Sequence, residues 1–297
     1  MLKIRKRVKK IFFFKKKYIY LVGNYKINLP IDHPLKSYQN KYKNYDKKIG
    51  SIITHLEKNE RNGIIIDIGA NIGDTAALLR TYSSSDIWCV EGEEYFLKYL
   101  KLNAKIIPNL KIIEAFVSGH DNKSNLKIIR KNGTAQLIEA NDTTNKMKFI
   151  SLNEIFKIIN LDNKKINLIK IDTDGFDLDI LFENLELIEK YKPSLFFEYN
   201  INYYHNGFKY SLEVMNSLEN IGYKFIVYDN FGNLMDFHLN NSYNNFLKHN
   251  HYLQSSLENG GGIYYYDIFA STNINIIKSI INEELKSYEN TILKEIY

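Results

Sequence analysis

The chain has 297 residues, of which 44% are hydrophobic, and a single cysteine, Cys89. This length and composition indicate a globular protein with a substantial core and exclude a disordered chain, while one cysteine excludes a disulfide framework and fits a reducing compartment. Charge is uneven. Residues 1–48 hold 15 Lys or Arg against 2 Asp or Glu, a net +13, which leaves the other 249 residues at −7 in a chain of +6.

We define residues 1–48 as the basic N-terminal arm and lead-in, and expect one domain over residues 49–297. The arm has an apolar run at residues 11–14 that is far too short for a signal peptide or a membrane span. Three hypotheses stay open: a solvated lysine-rich leader, peripheral contact with an anionic membrane surface, or contact with nucleic acid. Since the chain has no RNA- or DNA-reading motif, we expect no nucleic-acid partner.

Residues 63–75 read GIIIDIGANIGDT. After a helix-like segment at 52–56, the β-branched run at 64–66 is typical of a strand buried on both faces of a parallel sheet. Gly69 and Gly73 mark a turn, and good helix formers follow from Thr75. A strand, glycine turn and helix in this order place a small ligand over the N-terminus of the helix.

The residues around this turn favour one ligand. The spacing Gly-x-x-x-Gly differs from the Gly-x-Gly-x-x-Gly of dinucleotide sites, which weakens the case for a pyrophosphate. Asp67, just before Gly69, suits a cationic ligand. The next apolar run, residues 87–90, ends in Glu91, roughly 20 residues past the first glycine, where an acidic side chain accepts hydrogen bonds from a ribose diol. A cofactor with a ribose, an ammonium group and no phosphate is S-adenosyl-L-methionine.

Strand and helix patterns alternate from residue 63 onward, which predicts an α/β fold with a doubly wound, seven-stranded, mostly parallel sheet and helices on both faces. Two polar insertions are expected near 118–147 and 230–262, the first as a hairpin, and no regular helix is predicted between the last two strands. The predicted strands lie near 64–68, 86–91, 110–117, 166–172, 194–199, 223–229 and 263–270. The predicted helices lie near 74–82, 94–104, 151–160, 177–190, 209–221 and 274–294.

Three segments together resemble the FkbM family of S-adenosylmethionine-dependent methyltransferases: DIGANIGDT at 67–75, VEG at 90–92 and IKIDTDG at 169–175. The resemblance runs from about Gly63 to Ala270 and implies a Rossmann-like class I fold with an antiparallel last strand. The chain departs from the commoner family pattern at Gly92, where a proline often follows the glutamate. It departs again at Thr173 and Asp174, where valine and glutamate are usual.

The strand ends and the resemblance together predict the cofactor site. Asp67 and Asp74 are expected to engage the cofactor ammonium directly or through water, and Glu91 the ribose. Asp74 and Thr75 could instead cap the following helix, while Val117 and Ser118 lie where the resemblance places residues around the adenine. The predicted cofactor-binding residues are Asp67, Gly69, Asn71, Gly73, Asp74, Thr75, Glu91, Gly92, Val117, Ser118 and Asp172.

Methyl transfer to a hydroxyl requires a group that takes the hydroxyl proton as attack develops. The candidates for this catalytic base are Asp174, Glu198 at the end of the fifth predicted strand, and His205. A divalent cation held by Asp172 and Asp174 would act in the same way by lowering the pKa of the acceptor. Two carboxylates are a weak metal signature, so a metal is not favoured.

The resemblance implies O-methylation of a sugar hydroxyl in a bacterial surface polysaccharide or glycolipid. A different small acceptor, such as a lipid or polyketide, is an alternative, and so is a non-catalytic, cofactor-binding scaffold in glycan assembly. We expect a cytoplasmic protein, with a peripheral contact at the inner membrane face through the basic arm. The sequence predicts neither the acceptor hydroxyl nor the oligomeric state.

Overall fold

The computed structural model describes residues 17–296 except 43, 46, 60–61, 118–125, 132, 140–146, 162–163 and 202–206. The strands are β1 (Lys17–Val22), β2 (Tyr25–Pro30), β3 (Ile64–Ile68), β4 (Asp86–Glu91), β5 (Leu110–Glu114), β6 (Phe116–Val117), β7 (Leu126–Lys131), β8 (Thr134–Glu139), β9 (Phe149–Ile150), β10 (Ile166–Ile171), β11 (Ser194–Tyr199), β12 (Lys224–Asp229), β13 (Leu234–His238) and β14 (Tyr266–Ser271). The helices are α1 (Leu35–Lys41), α2 (Lys48–Asn59), α3 (Asp74–Tyr82), α4 (Glu94–Asn103), α5 (Leu152–Ile159), α6 (Asp177–Glu183), α7 (Leu185–Tyr191), α8 (Gly207–Ile221), α9 (Ser242–Glu258) and α10 (Ile274–Ile296).

The main sheet of the described residues has eight strands in the order β13-β12-β14-β11-β10-β3-β4-β5. Strands β11, β10, β3, β4 and β5 pair in parallel, whereas β14 is antiparallel to both β11 and β12. The predicted doubly wound α/β fold and its antiparallel last strand are therefore confirmed. Strand β13 extends the seven predicted strands by one, because it pairs antiparallel with β12 at the edge.

The β3 strand shows how the core is divided. Its residues Ile64 and Ile66 belong to an apolar cluster with α5, α6 and α8 on one face of the sheet. Ile65, between them, belongs to a second cluster with α2, α3 and α10 on the other face. Successive side chains of a strand point to opposite faces, so a continuous isoleucine run can be buried on both sides.

Part of the basic arm folds onto the domain. The antiparallel hairpin β1–β2 places the fully buried Ile27 and Leu29 in a third apolar cluster with Ile72 and Phe96. Residues 17–42 therefore contribute to the packed structure, while residues 1–16 lie outside the described residues. No helix in the described ranges is long and apolar enough to cross a membrane.

The described parts of both insertions contain regular secondary structure. The first contains the predicted hairpin, β7–β8, with Gly133 at φ +86° in its turn. The second carries β13 and the helix α9, so the expectation that no regular helix separates the last two predicted strands is wrong. The single helix predicted over 177–190 is two helices, α6 and α7, which meet at Asn184 with φ −114° and ψ 21°.

Candidate active site

Two adjoining cavities open at the carboxyl edge of the parallel strands. The larger, about 480 Å³, lies over the ends of β3, β10 and β11. The smaller, about 50 Å³, lies over the ends of β3 and β4, under the β7–β8 hairpin. They share four lining residues: Gly69, Asn71, Asp172 and Asp174. The residues predicted from separate parts of the sequence therefore meet at one cleft, as expected at this edge of an open α/β sheet.

The turn after β3 requires its first glycine. Gly69 has φ +75°, and a Cβ there would lie 1.8 Å from the carbonyl oxygen of Asp172, so only glycine lets the ends of β3 and β10 approach so closely. Gly73 has φ +83° and precedes α3, and a Cβ there would lie 2.7 Å from Leu100. It lies behind the cavity lining, whereas Asp74 and Thr75 line the larger cavity.

Glu91 is a buried carboxylate held by backbone amides. Its Oε2 accepts a hydrogen bond from the Asn71 amide at 2.8 Å, and its Oε1 accepts one from the Glu93 amide at 2.6 Å. Burial raises the pKa of Glu91 to about 7, and these two amides act in the opposite direction. A carboxylate has about four acceptor positions. The Gly92 amide also hydrogen-bonds Glu91, so acceptor capacity remains for a hydroxyl donor from the smaller cavity that Glu91 lines.

One side of the smaller cavity is apolar. Gly92 lies against the ring of Phe116, and a Cβ on Gly92 would lie 2.4 Å from that ring. Val117, Ala135 and Leu137 complete this side of the lining. Such a pocket suits a flat, weakly polar ring. Ser118, predicted to lie in the same place, is outside the described residues.

Lys170 was missed by the sequence analysis. Its Nζ lies 3.3 Å from Asp67 Oδ1 and 3.1 Å from Asp172 Oδ2. Burial alone lowers the pKa of Lys170, but the two carboxylates outweigh it and hold that pKa well above the ordinary value, so the ammonium is charged. The signal that could have identified it is a lysine inside a mostly apolar, fully buried strand, INLIKI.

Asp67 itself is fully buried, and burial raises its pKa while Lys170 lowers it. Lys170 lines the larger cavity, whereas Asp67 lies behind the lining. The contact assigned to Asp67, with a cofactor ammonium, stays a prediction.

Carboxylates crowd the far side of the larger cavity. Asp174 has φ +52°, a strained backbone conformation for a residue other than glycine, and burial together with nearby carboxylates raises its pKa to about 7. Glu198 on β11 has a pKa well above its usual value, mainly through burial. Asp267 on β14, which the sequence analysis also missed, lines the same cavity, and burial raises its pKa to about 8. His205, the third candidate base, is outside the described residues.

A family model described as "Methyltransferase FkbM domain" matches residues 67–225, more than half of the chain. The chain belongs to the FkbM methyltransferase family. The match begins at Asp67 and includes all three segments on which the resemblance was based. No curated protein matched the chain.

Solved structures similar to this FkbM methyltransferase are distant in sequence. TYW2 from M. jannaschii, in complex with AdoMet, is 13% identical with a TM-score of 0.41, over 86% of this chain and 85% of that one. The plantazolicin methyltransferase BamL, with a desmethylPZN analogue and SAH, is 12% identical with a TM-score of 0.41, over 80% and 90%. A precorrin-6y C5,15-methyltransferase from Geobacter metallireducens is 11% identical with a TM-score of 0.37, over 75% and 87%.

Within this FkbM methyltransferase, the cleft brings most of the predicted site residues together. Asp67 and Gly73 lie behind the lining. Ser118 and His205 fall outside the described residues. The predicted residues that line one cavity or both are Gly69, Asn71, Asp74, Thr75, Glu91, Gly92, Val117, Asp172, Asp174 and Glu198.

Proposed function

We propose that the protein transfers a methyl group from S-adenosylmethionine to a hydroxyl oxygen of a sugar in a bacterial surface polysaccharide or glycolipid. The observation that carries the proposal is the direct adjacency of the Glu91 pocket and the carboxylate-lined cavity, which share Asp174. The smaller cavity fits the cofactor: Glu91 has acceptor capacity for a ribose hydroxyl, and the neighbouring lining on the Phe116 side is apolar. The family membership of the chain supports methyl transfer.

The charged groups of the larger cavity would act on the cofactor in this reaction. S-adenosylmethionine supplies, when bound, an electrophilic methyl group on a positively charged sulfur. Asp74 and Asp172 line the larger cavity, and the negative charge of a carboxylate there favours a cationic ligand. Lys170, which also lines this cavity, offsets part of this charge through its ion pairs with Asp67 and Asp172.

Asp174 is the base that we favour. It lines both cavities, so it is placed where a donor in one cavity meets an acceptor in the other. A general base works best when its pKa is near the working pH, and the pKa of Asp174 is about 7. Asp174 would take the proton of the acceptor hydroxyl as the C–O bond forms.

The lining of the larger cavity suits a sugar acceptor. Aromatic and amide side chains surround its mouth, and Tyr42 packs on Phe231 with ring centroids 4.6 Å apart. Aromatic faces and amide groups are the side-chain types that contact the apolar and hydroxyl faces of a sugar ring. These residues are Tyr38, Tyr42, Asn44, Asn200, Asn230, Phe231 and Tyr264.

An acceptor panel with S-adenosylmethionine labelled in the methyl group tests the proposal. We expect label in an oligosaccharide or nucleotide sugar, and its loss with Asp174→Asn. If the label appeared in a lipid or polyketide instead, the proposed acceptor would be wrong, whereas the protein would still be a methyltransferase. Absence of cofactor binding by calorimetry would favour the scaffold alternative and contradict the enzyme.

For the basic arm we propose a peripheral contact with anionic membrane, on the evidence of its net charge of +13 over residues 1–48. A glycan acceptor on a lipid carrier would be presented at such a surface. Deleting residues 1–16 leaves β1 intact and should reduce binding to vesicles that contain anionic lipid, with salt weakening the binding of the full chain. Equal binding by both chains would contradict this proposal.

A further inference from the structure

Three potential metal ligands converge away from the cleft, in the second insertion. Asp236 and His238 are on β13, and His249 is on α9. The His238 Nε2 and His249 Nε2 atoms each lie 3.2 Å from Asp236 Oδ2, and they lie 3.2 Å from each other. Within the described residues this is the one set of His, Cys, Asp or Glu ligand atoms with such mutual proximity.

From this geometry we propose that Asp236, His238 and His249 bind a divalent transition-metal ion of the Zn²⁺ class. Two imidazole nitrogens and one carboxylate oxygen are a common three-residue set for such ions, with further positions left to water. Zn²⁺ lies about 2.1 Å from such ligand atoms. Two atoms 3.2 Å apart at that distance subtend about 100° at the ion, between the octahedral and tetrahedral angles.

Local structure explains why the three side chains meet. Asp236 and His238 are two residues apart on a strand, so their side chains lie on the same face. Phe246, His249 and Leu253 are spaced three and four residues apart on α9 and are all buried, so the same helix face turns toward the sheet. The metal would therefore join the edge strand to the helix of the insertion.

The surrounding contacts fix the ligand atoms in place. The second carboxylate oxygen of Asp236 accepts a hydrogen bond from the Phe237 amide at 2.8 Å, which leaves Oδ2 directed at the two imidazoles. The His238 ring packs edge-on against Phe246, with centroids 4.7 Å apart, and His249 packs against Tyr266 at 5.4 Å. Such outer contacts orient metal ligands and strengthen binding.

The ligands are also placed so that an ion can enter. His238 is 1% exposed and His249 9% exposed, whereas 42% of the Asp236 side chain is exposed. The proposed site is thus closed toward the core and open toward solvent at the carboxylate. Water can reach the remaining coordination positions from that side.

Zinc binding by the full chain, expressed without a histidine tag and stripped with chelator, tests the proposal. Calorimetry should show that one Zn²⁺ binds per chain. Bound Co²⁺ should show visible ligand-field absorption, and excess Mg²⁺ should not displace this Co²⁺. His249→Gln and Asp236→Asn should each weaken Zn²⁺ binding by about 100-fold, the upper end of the loss seen even for outer-shell changes. His251→Ala, on the exposed side of the same helix, is the matched control and should bind as the native chain does.

Thermal unfolding gives an independent readout, since an ion that binds only the folded chain raises the midpoint. Zinc should raise it for the native chain and for His251→Ala, and not for Asp236→Asn, whose half-exposed position keeps a folding defect small. Stoichiometric Zn²⁺ binding that survives in both ligand variants, or no stoichiometric binding by the native chain, would overturn the proposal and identify the cluster as hydrogen-bonded only.

Discussion

The cleft has two halves that hold their charged groups in different ways. In the cofactor half, at the ends of β3 and β4, backbone amides of Asn71 and Glu93 hold the Glu91 carboxylate. In the acceptor half, at the ends of β10, β11 and β14, Asp172 and the buried Asp67 behind it both pair with one ammonium, that of Lys170. Glu91 and the two amides that hold it lie within residues 71–93, whereas the acceptor half joins strands as distant in sequence as β10 and β14.

This difference has a physical consequence. Backbone amides are present whatever the side chains are, so the charge of Glu91 is supported at several points and depends on no single partner. A buried carboxylate that faces one lysine loses its compensation when that lysine is removed. We therefore expect the acceptor half to be the more sensitive to single substitutions.

The largest effect is expected at Lys170. Lys170→Met leaves Asp67 fully buried without its cationic partner, and breaking a buried pair in this way costs about 3–5 kcal/mol of unfolding free energy. Denaturation in urea measures it. Lys111→Met is the matched control, since Lys111 is 45% exposed in its pair with Asp86, and we expect a loss of less than about 1 kcal/mol there.

The double variant Lys170→Met with Asp67→Asn sharpens the same comparison. Removing both charges should recover much of the lost stability, because the cost of the single change is an uncompensated charge rather than a lost contact. If the double variant were as unstable as the sum of the single ones, the pair would not be what supports the acceptor half.

Asp174→Asn tests the proposed base. We expect the turnover number to fall by at least about 100-fold, the lower range for loss of general base catalysis, with cofactor affinity little changed. Asp179→Asn is the matched control. Asp179 lies in the first turn of α6, accepts a hydrogen bond from the Tyr210 hydroxyl and does not line the cleft. Equal activity of the native and Asp174→Asn chains would exclude this base.

The cofactor half could be predicted from sequence because its signals are local. The strand at 64–68, the helix at 74–82 and the strand at 86–91 are found with the predicted bounds. The β-branched run, the glycine pair and the terminal carboxylate lie within 28 residues of one another, from Ile64 to Glu91. Each of these local patterns predicts a backbone conformation or a buried position without reference to the rest of the chain.

The rest of the site depends on contacts that no local pattern contains. Lys170 and Asp267 reach the cleft only because β10 and β14 lie in one sheet with β3 and β11. Helix α9 is rich in asparagine and histidine, which are weak helix formers, so tertiary packing of Phe246 and Leu253 selects the helix. The β1–β2 hairpin was hidden because the high charge of the arm indicated solvent exposure.

Cofactor affinity tests the other half. Glu91→Ala removes the carboxylate that would accept from the ribose, and we expect affinity for S-adenosylmethionine to fall by about 1–3 kcal/mol, the scale of a hydrogen bond to a charged group. Calorimetry measures it. Glu114→Ala, at the end of β5 and exposed, should leave affinity unchanged. Unaltered affinity in Glu91→Ala would mean that the ribose lies elsewhere.

The smallest expected effect is the pH dependence that Glu91 gives to stability. The pKa of Glu91 is raised from its usual 4.5 to about 7, so above about pH 4.5 the unfolded chain has released a proton that the folded chain keeps until about pH 7. Folding then takes up a proton, and stability falls as pH rises through this window. From about pH 6 to about pH 8 the loss due to Glu91 should be about 1 kcal/mol.

Comparison of the native chain with Glu91→Gln isolates the contribution of Glu91 to the pH dependence of the unfolding free energy, because the other carboxylates of the cleft titrate in both chains. Urea denaturation at the two pH values should show a shallower decline in the variant. A decline of equal size would mean that the amides of Asn71 and Glu93 compensate fully for the burial of Glu91. The cofactor half would then hold its carboxylate ionised at neutral pH, and the contrast with the Lys170-dependent half would be greater still.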